Sequence, residues 1–329
     1  MKEIKVTKNQ ENQTIFKFVK KYLSNAPLSF IEKIFRKKDV KVNGKRVDKS
    51  FVISCDDVIQ IYVTDNQLDD FNKAKEILVT NLKPEIVFED HNILICNKPS
   101  GLLVHKGNEE NEVTLSDIVL NYLSNKGEFD LKNNEGFIPS LAHRIDRNTS
   151  GLVIFGKNVA ALQTLEELFK NRNEISKFYL SLINGRILKG GIIDKPLYKD
   201  EKKGIVSIKS ISEGGKTAIT KYEVEEVFND CTLVQVELLT GRTHQIRVHF
   251  ASINHPIMGD SKYGSFTSNK EFKKKFHYEN QFLHAYKIKF GQVNGVLSYL
   301  SNKEFTASLG KKEMEIINSL RKMKGESYA

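Results

Sequence analysis

The chain holds only three cysteines, Cys55, Cys96 and Cys231, and no two of them form a C-x-x-C pair. That excludes a disulfide scaffold and any zinc site legible from cysteine spacing, and it fits a reducing cytoplasm. No stretch approaches the roughly 18 unbroken apolar residues of a membrane helix. The opening MKEIKVTKNQ has no apolar signal core, so a secretory leader is not expected. There is no G-x-x-x-x-G-K-S/T loop and no convincing G-x-G-x-x-G, the two glycine patterns that cradle nucleotide phosphates. Internal repeats and low-complexity tracts are missing as well.

What is present suits a folded chain of two domains. The 329 residues exceed the ~150 typical of one domain. Hydrophobic residues make up 40% and charged residues 28%, enough apolar material for a core. The net charge is +10, and its placement is uneven: residues 1–63 hold 14 Lys/Arg against 7 Asp/Glu. Most of the excess thus lies in the first fifth of the chain, which points to a segment that binds a polyanion.

Residues 14–63 read as a compact module. Ile15, Phe18, Val19, Tyr22 and Leu23 recur at helical spacing. A second helix is expected from Ser29 as N-cap, with Ile31, Ile34 and Phe35 as its buried stripe. VKVNGKRV then signals a hairpin, because Asn43-Gly44 suits a type I′ turn. Residues 56–63 close the module as a strand. Lys33, Arg36 and Lys37 share one helix face, and Lys41, Lys45 and Arg46 flank the adjacent hairpin. Helix end and hairpin together offer a surface that can track phosphates.

Residues 64–84 are polar, then mildly amphipathic, and end in Pro84; they read as a linker with room for a short helix. A second domain begins with a hairpin around Asp90-His91-Asn92. Short strands follow at LVIFGK, KFYLSLING, 205–211, AITKYEVEEVF and TLVQVELL, with helices expected over 114–125 and 158–171. Many antiparallel strand signals among a few helices argue for α+β rather than a doubly wound sheet. The last residues read as a short amphipathic helix with a frayed end.

Two segments concentrate chemistry. In LAHRIDRNTSGLVIFGKN (141–158), Asp146 sits between Arg144 and Arg147 on a polar loop that feeds a β-branched strand. Neighbouring cations keep such a carboxylate ionised, able to act as nucleophile or base. A turn aspartate bonding its own backbone fits the pattern equally well. In LLTGRTHQIRVHFASINHPIMGDSKYG (238–264), Arg242, His244, Arg247 and His249 follow a strand-to-helix turn at Thr240-Gly241. The i, i+5 spacing of the histidines and the lack of a nearby acidic ligand argue against metal.

These segments carry a resemblance to the RluA-type pseudouridine synthases, especially the large-subunit ribosomal RNA enzymes with an N-terminal S4 domain. NKPSGLLVHKG (97–107) is similar to the family's first motif and HRIDRNTSGLVIF (143–155) to its catalytic motif. KFYLSLING (177–185) is similar to the segment of the active-site tyrosine. TGRTHQIRVH (240–249) with HPIMGDSKYG is similar to the last motif, and LHA (283–285) matches a further element. The departures are small: Ile145 replaces the usual leucine, Asn148 stands where an acid is common, and the usual His-Pro ending is missing after LHAYKIKF. Residues 14–63 separately resemble the S4 RNA-binding domain.

The resemblance implies an isomerase that converts uridine to pseudouridine within RNA, without metal or organic cofactor. It implies an α+β catalytic domain with a mixed, largely antiparallel sheet at 85–300. A small α+β S4-like RNA-binding domain at 1–63, a linker at 64–84 and a C-terminal tail with a short helix at 301–329 complete the expectation. Asp146 is then the catalytic carboxylate, with attack on C1′, addition to the base and abstraction of a sugar proton all open. Arg247 is expected as its ion-pair partner, with Arg242 better placed for RNA. Tyr179 is expected to stack on the target base, Ile246 or Val248 to wall the uracil, and His143, Arg144 and His244 to hold RNA. Large-subunit ribosomal RNA is the expected partner, of a cytoplasmic monomer that does not touch membranes. Two other readings stay open: a noncatalytic S4-type RNA-binding or ribosome-assembly protein, and an unrelated carboxylate enzyme such as a glycosidase. The last would need two carboxylates about 5–9.5 Å apart, and no second acid is evident.

Overall fold

The computed structural model describes residues 1–71, 77–106, 112–131, 137–171 and 174–326. Gly107, the end of the NKPSGLLVHKG segment, lies outside the described residues, as do 72–76 of the expected linker and the last three residues.

The N-terminal module comprises β1 (Lys2–Lys5), α1 (Ile15–Tyr22), α2 (Leu28–Arg36), β2 (Val40–Val42), β3 (Lys45–Arg46) and β4 (Val58–Ile61). Its four strands order as β1-β4-β2-β3. Thr14 caps α1 by accepting the Lys17 N–H, and the helix buries Ile15, Phe18, Val19 and Tyr22 as its spacing requires. These pack with Ile31, Ile34, Val40, Val42, Ile59 and Ile61 in one core. Asn43 and Gly44 take φ of 49° and 75°, the two positive values of the expected hairpin turn. One start differs. Pro27, not Ser29, occupies the N-cap of α2, without a side-chain bond. Its carbonyl accepts the N–H groups of Phe30 and Ile31, so the helix opens two residues early.

The expected linker divides between its neighbours. α3 (Asp65–Phe71) returns Leu68 and Phe71 to the N-terminal core. The N–H of Leu78 instead donates to Asp117 Oδ1 at 3.0 Å, and Asn121 donates to the Leu78 carbonyl, which pins this stretch to the second domain.

That domain is built on a ten-stranded sheet. Its elements are β5 (Glu85–Glu89), β6 (Ile93–Lys98), α4 (Leu115–Asn125), β7 (Ser140–Leu141), β8 (Ser150–Gly156), α5 (Val159–Lys170), β9 (Ile175–Asn184) and β10 (Gly191–Asp194). A two-stranded hairpin follows, β11 (Leu197–Asp200) with β12 (Ile205–Ile208). Then come β13 (Ile219–Val227), β14 (Cys231–Leu238), α6 (Gln245–Ala251), α7 (Phe266–Phe276), β15 (Leu283–Phe290), β16 (Glu304–Thr306) and α8 (Lys311–Glu326). The main order is β10-β13-β14-β9-β15-β8-β6-β5, with β16 on β15 and β7 on β8. Among the described residues only β8 and β15 run parallel, so the sheet is mixed and largely antiparallel.

Strands β6 and β8 are buried throughout, and their apolar runs Ile93–Cys96 and Leu152–Phe155 do not alternate with polar residues because both faces are covered. Leu94, Cys96, Val153 and Phe155 face the core that α4 and α6 close; Ile93, Ile95, Leu152 and Ile154 face the one under α5. Thr114 and Asn158 cap α4 and α5, close to the expected starts. Strand β12 stops at Ile208, short of 211, because Ser210 caps a 3-10 turn at Ile211–Glu213.

The stretch after residue 300 is no detached tail. Strand β16 extends the sheet, and α8 buries Ile316, Ile317 and Leu320 against Phe272, Phe276 and Phe282. The Tyr278 hydroxyl donates to Glu313 at 2.9 Å. An amphipathic helix needs such a partner, and the aromatic side of α7 supplies it. Among the described residues no helix is long and apolar enough to cross a membrane.

Candidate active site

Strand β8 enters the sheet beside β15, and that approach places the loop before it. Gly151 has φ 110°, and a Cβ there would lie 2.3 Å from the Ala285 carbonyl oxygen, so only glycine lets the two strands meet. Next to it, Ser150 Oγ lies 2.9 Å from His284 Nδ1, and His284 Nε2 lies 2.9 Å from the Ala307 carbonyl. The carbonyl only accepts, so the imidazole proton sits on Nε2 and Nδ1 takes the serine hydroxyl. Burial holds His284 below the usual histidine range. The LHA element thus fastens β15 to the strand that carries the Asp146 loop.

Lys98 secures the same loop from the other side. Its fully buried Nζ donates to the carbonyls of Pro99, Leu102 and Arg147, each at 2.8 Å. Burial pulls its pKa down to about 7, while the charge of Asp146 works in the opposite sense. Three carbonyl acceptors match the three N–H bonds of an ammonium.

Asp146 lines a cleft of about 590 Å³. Arg247, on α6, donates from Nη1 to Asp146 Oδ2 at 2.9 Å. The same guanidinium grips Asp260 with Nε at 2.7 Å and Nη2 at 2.9 Å. Asp260 is buried and also accepts the backbone N–H groups of Lys262 and Tyr263. Burial opposes its ionisation, but Arg247 and these N–H groups outweigh it and hold the carboxyl below its ordinary range.

Tyr179, on β9, is 8% exposed and lines the cleft with Asp146. Burial, and then the charge of Asp146, push its hydroxyl above the ordinary phenol range, so it stays protonated. His244 Nε2 stands 3.8 Å from Asp146 Oδ2, and Ile246 forms apolar wall. Val248 turns away to Leu197, Val206 and Ala218, which leaves the wall to Ile246. Arg144, Lys170, Lys177, Lys199, Arg242 and Arg247 line the cleft, against the single carboxylate of Asp146 among the described lining residues. A cleft so lined attracts a phosphate backbone. Arg242 donates from Nε to the Thr217 carbonyl at 3.1 Å.

His143 does not join this cationic set. Burial drives its pKa to about 3, its Nε2 accepts the Ile154 N–H, and its ring packs on Phe169. It holds the loop to β8 as a neutral ring. His249 lies in the core, with Nε2 bonded to the Lys195 carbonyl and Nδ1 to Thr220. Gln245 pins the turn before α6: its Oε1 accepts from Thr240 and from the Arg242 N–H, and its Nε2 donates to Thr220.

None of Lys33, Arg36, Lys37, Lys41, Lys45 and Arg46 lines the cleft. All but Lys41 are exposed on the N-terminal module. Lys41 is half-buried, lies over the Tyr62 ring at 4.8 Å and donates to its hydroxyl. Lys37 is the C-cap of α2 rather than part of its face. Asp260, Tyr263 and Lys98 do not stand out in the sequence as site residues. The Gly-Asp-Ser-Lys-Tyr run after α6 is the available signal for the first two.

Comparison with known proteins agrees with this architecture. The family model described as RNA pseudouridylate synthase matches residues 92–252. An uncharacterized RNA pseudouridine synthase of Mycoplasma capricolum is 35% identical over 307 residues, covering 91% of this chain and 94% of that protein. The ribosomal large subunit pseudouridine synthase C of Haemophilus influenzae is 33% identical over 331 residues, 98% of this chain and 96% of its own length. A human RNA pseudouridylate synthase domain containing 4 shares the fold, at TM-score 0.57 and 23% identity over 72% of this chain and 92% of that one. The chain belongs to the RNA pseudouridine synthase family, isomerases that turn uridine into pseudouridine.

Proposed function

We propose that the chain isomerises specific uridines of large-subunit ribosomal RNA, with Asp146 as the reacting carboxylate, Arg247 as its ion-pair partner and Tyr179 as the platform for the base. The observation that carries the reading is the ion pair of Asp146 and Arg247, itself braced by buried Asp260, in the wall of a basic cleft. The C1′–N1 bond breaks, the uracil turns, and a C1′–C5 bond forms. C5 gives up a proton and N1 gains one, so composition and oxidation state do not change. A carboxylate held by one guanidinium nitrogen keeps the other oxygen for chemistry. The target base leaves its stack at a cost of about a few kcal/mol, and Tyr179 with Ile246 offers it a replacement surface. Arg144 and Arg242 take the flanking RNA.

The N-terminal module, on this reading, is an S4-like RNA-binding domain that adds sequence-independent affinity through Lys33, Arg36, Lys37, Lys45 and Arg46. The working molecule is a cytoplasmic monomer. The names of the relatives support ribosomal RNA as the substrate over a noncatalytic assembly role.

The test is pseudouridine mapping of total RNA by carbodiimide labelling and reverse-transcription stops. Cells carrying the wild-type chain, no chain and Asp146→Ala are compared. Stops in large-subunit ribosomal RNA that need both the chain and Asp146 are expected. Stops confined to another RNA sink the substrate assignment. Stops that persist in the Asp146→Ala cells sink the role of Asp146.

A further inference from the structure

We propose that His244 is a positioning residue for Asp146, locked in one tautomer by the Tyr263 hydroxyl. The inference rests on the reading of Asp146 as the reacting carboxylate. Its first support is backbone geometry. His244 adopts φ 53° and ψ 19° at the N-cap of α6, a left-handed conformation uncommon for non-glycine residues. Strain of this kind persists where surrounding contacts demand it, and it gathers at functional sites.

In that conformation the imidazole is bonded through one nitrogen and turns the other to the carboxylate. Nδ1 lies 2.8 Å from the Tyr263 hydroxyl, and Nε2 faces Asp146 Oδ2 at 3.8 Å. The Tyr263 oxygen already accepts the Val206 N–H at 3.0 Å. Its own proton goes to His244 Nδ1, the acceptor that the geometry offers it. The ring proton therefore sits on Nε2 and points at the carboxylate. Burial keeps the ring below the usual histidine range, so it is neutral. Tyr263 also carries the Arg247 guanidinium over its ring at 5.1 Å. One tyrosine thus touches both groups that face Asp146.

The mechanical consequence is specific. Arg247 bonds Asp146 through one nitrogen and one oxygen, and a single bond leaves the carboxylate free to pivot. At 3.8 Å the His244 contact is too long for a hydrogen bond. Catalytic hydrogen bonds are often long without substrate and tighten in the complex. A closure of about 1 Å makes Nε2–H the second donor to Oδ2 and holds that oxygen between two donors, leaving Oδ1 free. The charged and titratable groups around His244 are Asp146, Arg247, Asp260, Lys262 and Tyr263, and Lys199 of β11 shares the cleft.

The experiment follows tritium release from uracil C5 in single-turnover reactions across about pH 5 to 9. The substrate is labelled large-subunit ribosomal RNA from cells lacking the chain, with filter binding of the same RNA in parallel. His244→Ala is expected to slow the reaction about tenfold at unchanged RNA affinity. It is also expected to move the acid limb of the rate profile to higher pH, because a donor to the charged carboxylate is gone. His244→Gln restores part of the rate through its amide N–H. Tyr263→Phe, which keeps the ring under Arg247, falls between. A His244→Ala enzyme with wild-type rate and acid limb overturns the proposal, as does a rate loss matched by weaker RNA binding with glutamine no better than alanine. If His244→Ala does not fold, a wild-type rate and acid limb in Tyr263→Phe overturns it instead. Asp146→Ala runs alongside: residual turnover there refutes the role of Asp146 itself, whereas its inactivity with an unaffected His244→Ala refutes only the role of His244.

Discussion

Arg247 spends two of its three guanidinium nitrogens on buried Asp260, at 2.7 and 2.9 Å, and this leaves Nη1 alone to meet Asp146 at 2.9 Å. The arginine is therefore aimed by a residue 13 positions along the chain before it touches the cleft. A fork is needed for this, since one flat cation must satisfy two carboxylates in a fixed plane.

Arg247→Lys keeps the charge but cannot hold both partners. Single-turnover pseudouridine formation is expected to fall about 100-fold, with RNA affinity changed far less. A lysine variant within threefold of wild type would show that charge alone suffices at this position.

Gly151→Ala tests the strand junction that sets the Asp146 loop. Its φ of 110° and the 2.3 Å approach to the Ala285 oxygen leave no place for a methyl group. A loss of about 3 kcal/mol or more is expected in urea unfolding, read from the midpoint at constant m-value. A loss below 1 kcal/mol contradicts the close parallel approach of β8 and β15.

Three histidines, buried His249 and His284 and half-buried His143, give the fold an acid sensitivity. Burial lowers His143 to about 3 and also depresses His249 and His284. The unfolded chain takes up these protons near pH 6.5 while the folded chain does not, so it binds more protons below that value. Their contribution to stability is complete above about pH 6.5 and declines as pH falls toward the folded values. The urea midpoint is expected to drop between about pH 7 and pH 5, and to drop less in His143→Gln. Equal drops in both proteins would mean that His143 is charged in the folded state.

The basic face of the N-terminal module is tested by salt. Lys33, Arg36, Lys37, Lys45 and Arg46 are exposed, and no ion pair holds any of them among the described residues. Replacing all five by alanine should flatten the plot of log affinity against log salt by about 0.7 for each phosphate that is no longer neutralised. An unchanged slope removes this face from the RNA interface.

Much of this architecture is legible from neighbours in the chain. The Thr114 and Asn158 caps, the Asn43-Gly44 turn and the apolar stripe of α1 are local, so side-chain spacing alone states them. Asp146, Tyr179 and Arg247 stand out through motif resemblance and do share one cleft. Asp260, Tyr263 and Lys98 do not stand out, because each matters only through partners on other elements. The tail expected after residue 300 is a strand and a packed helix for the same reason: an amphipathic face shows that it needs a cover but not which surface provides it.

By itself the sequence determined the helices other than α7, the hairpins at Asn43-Gly44 and Asp90-His91-Asn92, the basic N-terminal module and the motif residues that come to line one cleft, because propensity, charge and motif act over short spans. Tertiary structure alone decided which nitrogens of Arg247 meet which carboxylate, that His143 is neutral and that Val248 turns from the cleft. Those outcomes depend on burial and on the aim of hydrogen bonds between distant segments, and both come into being only when β8 settles against β15 and α6 packs on the sheet.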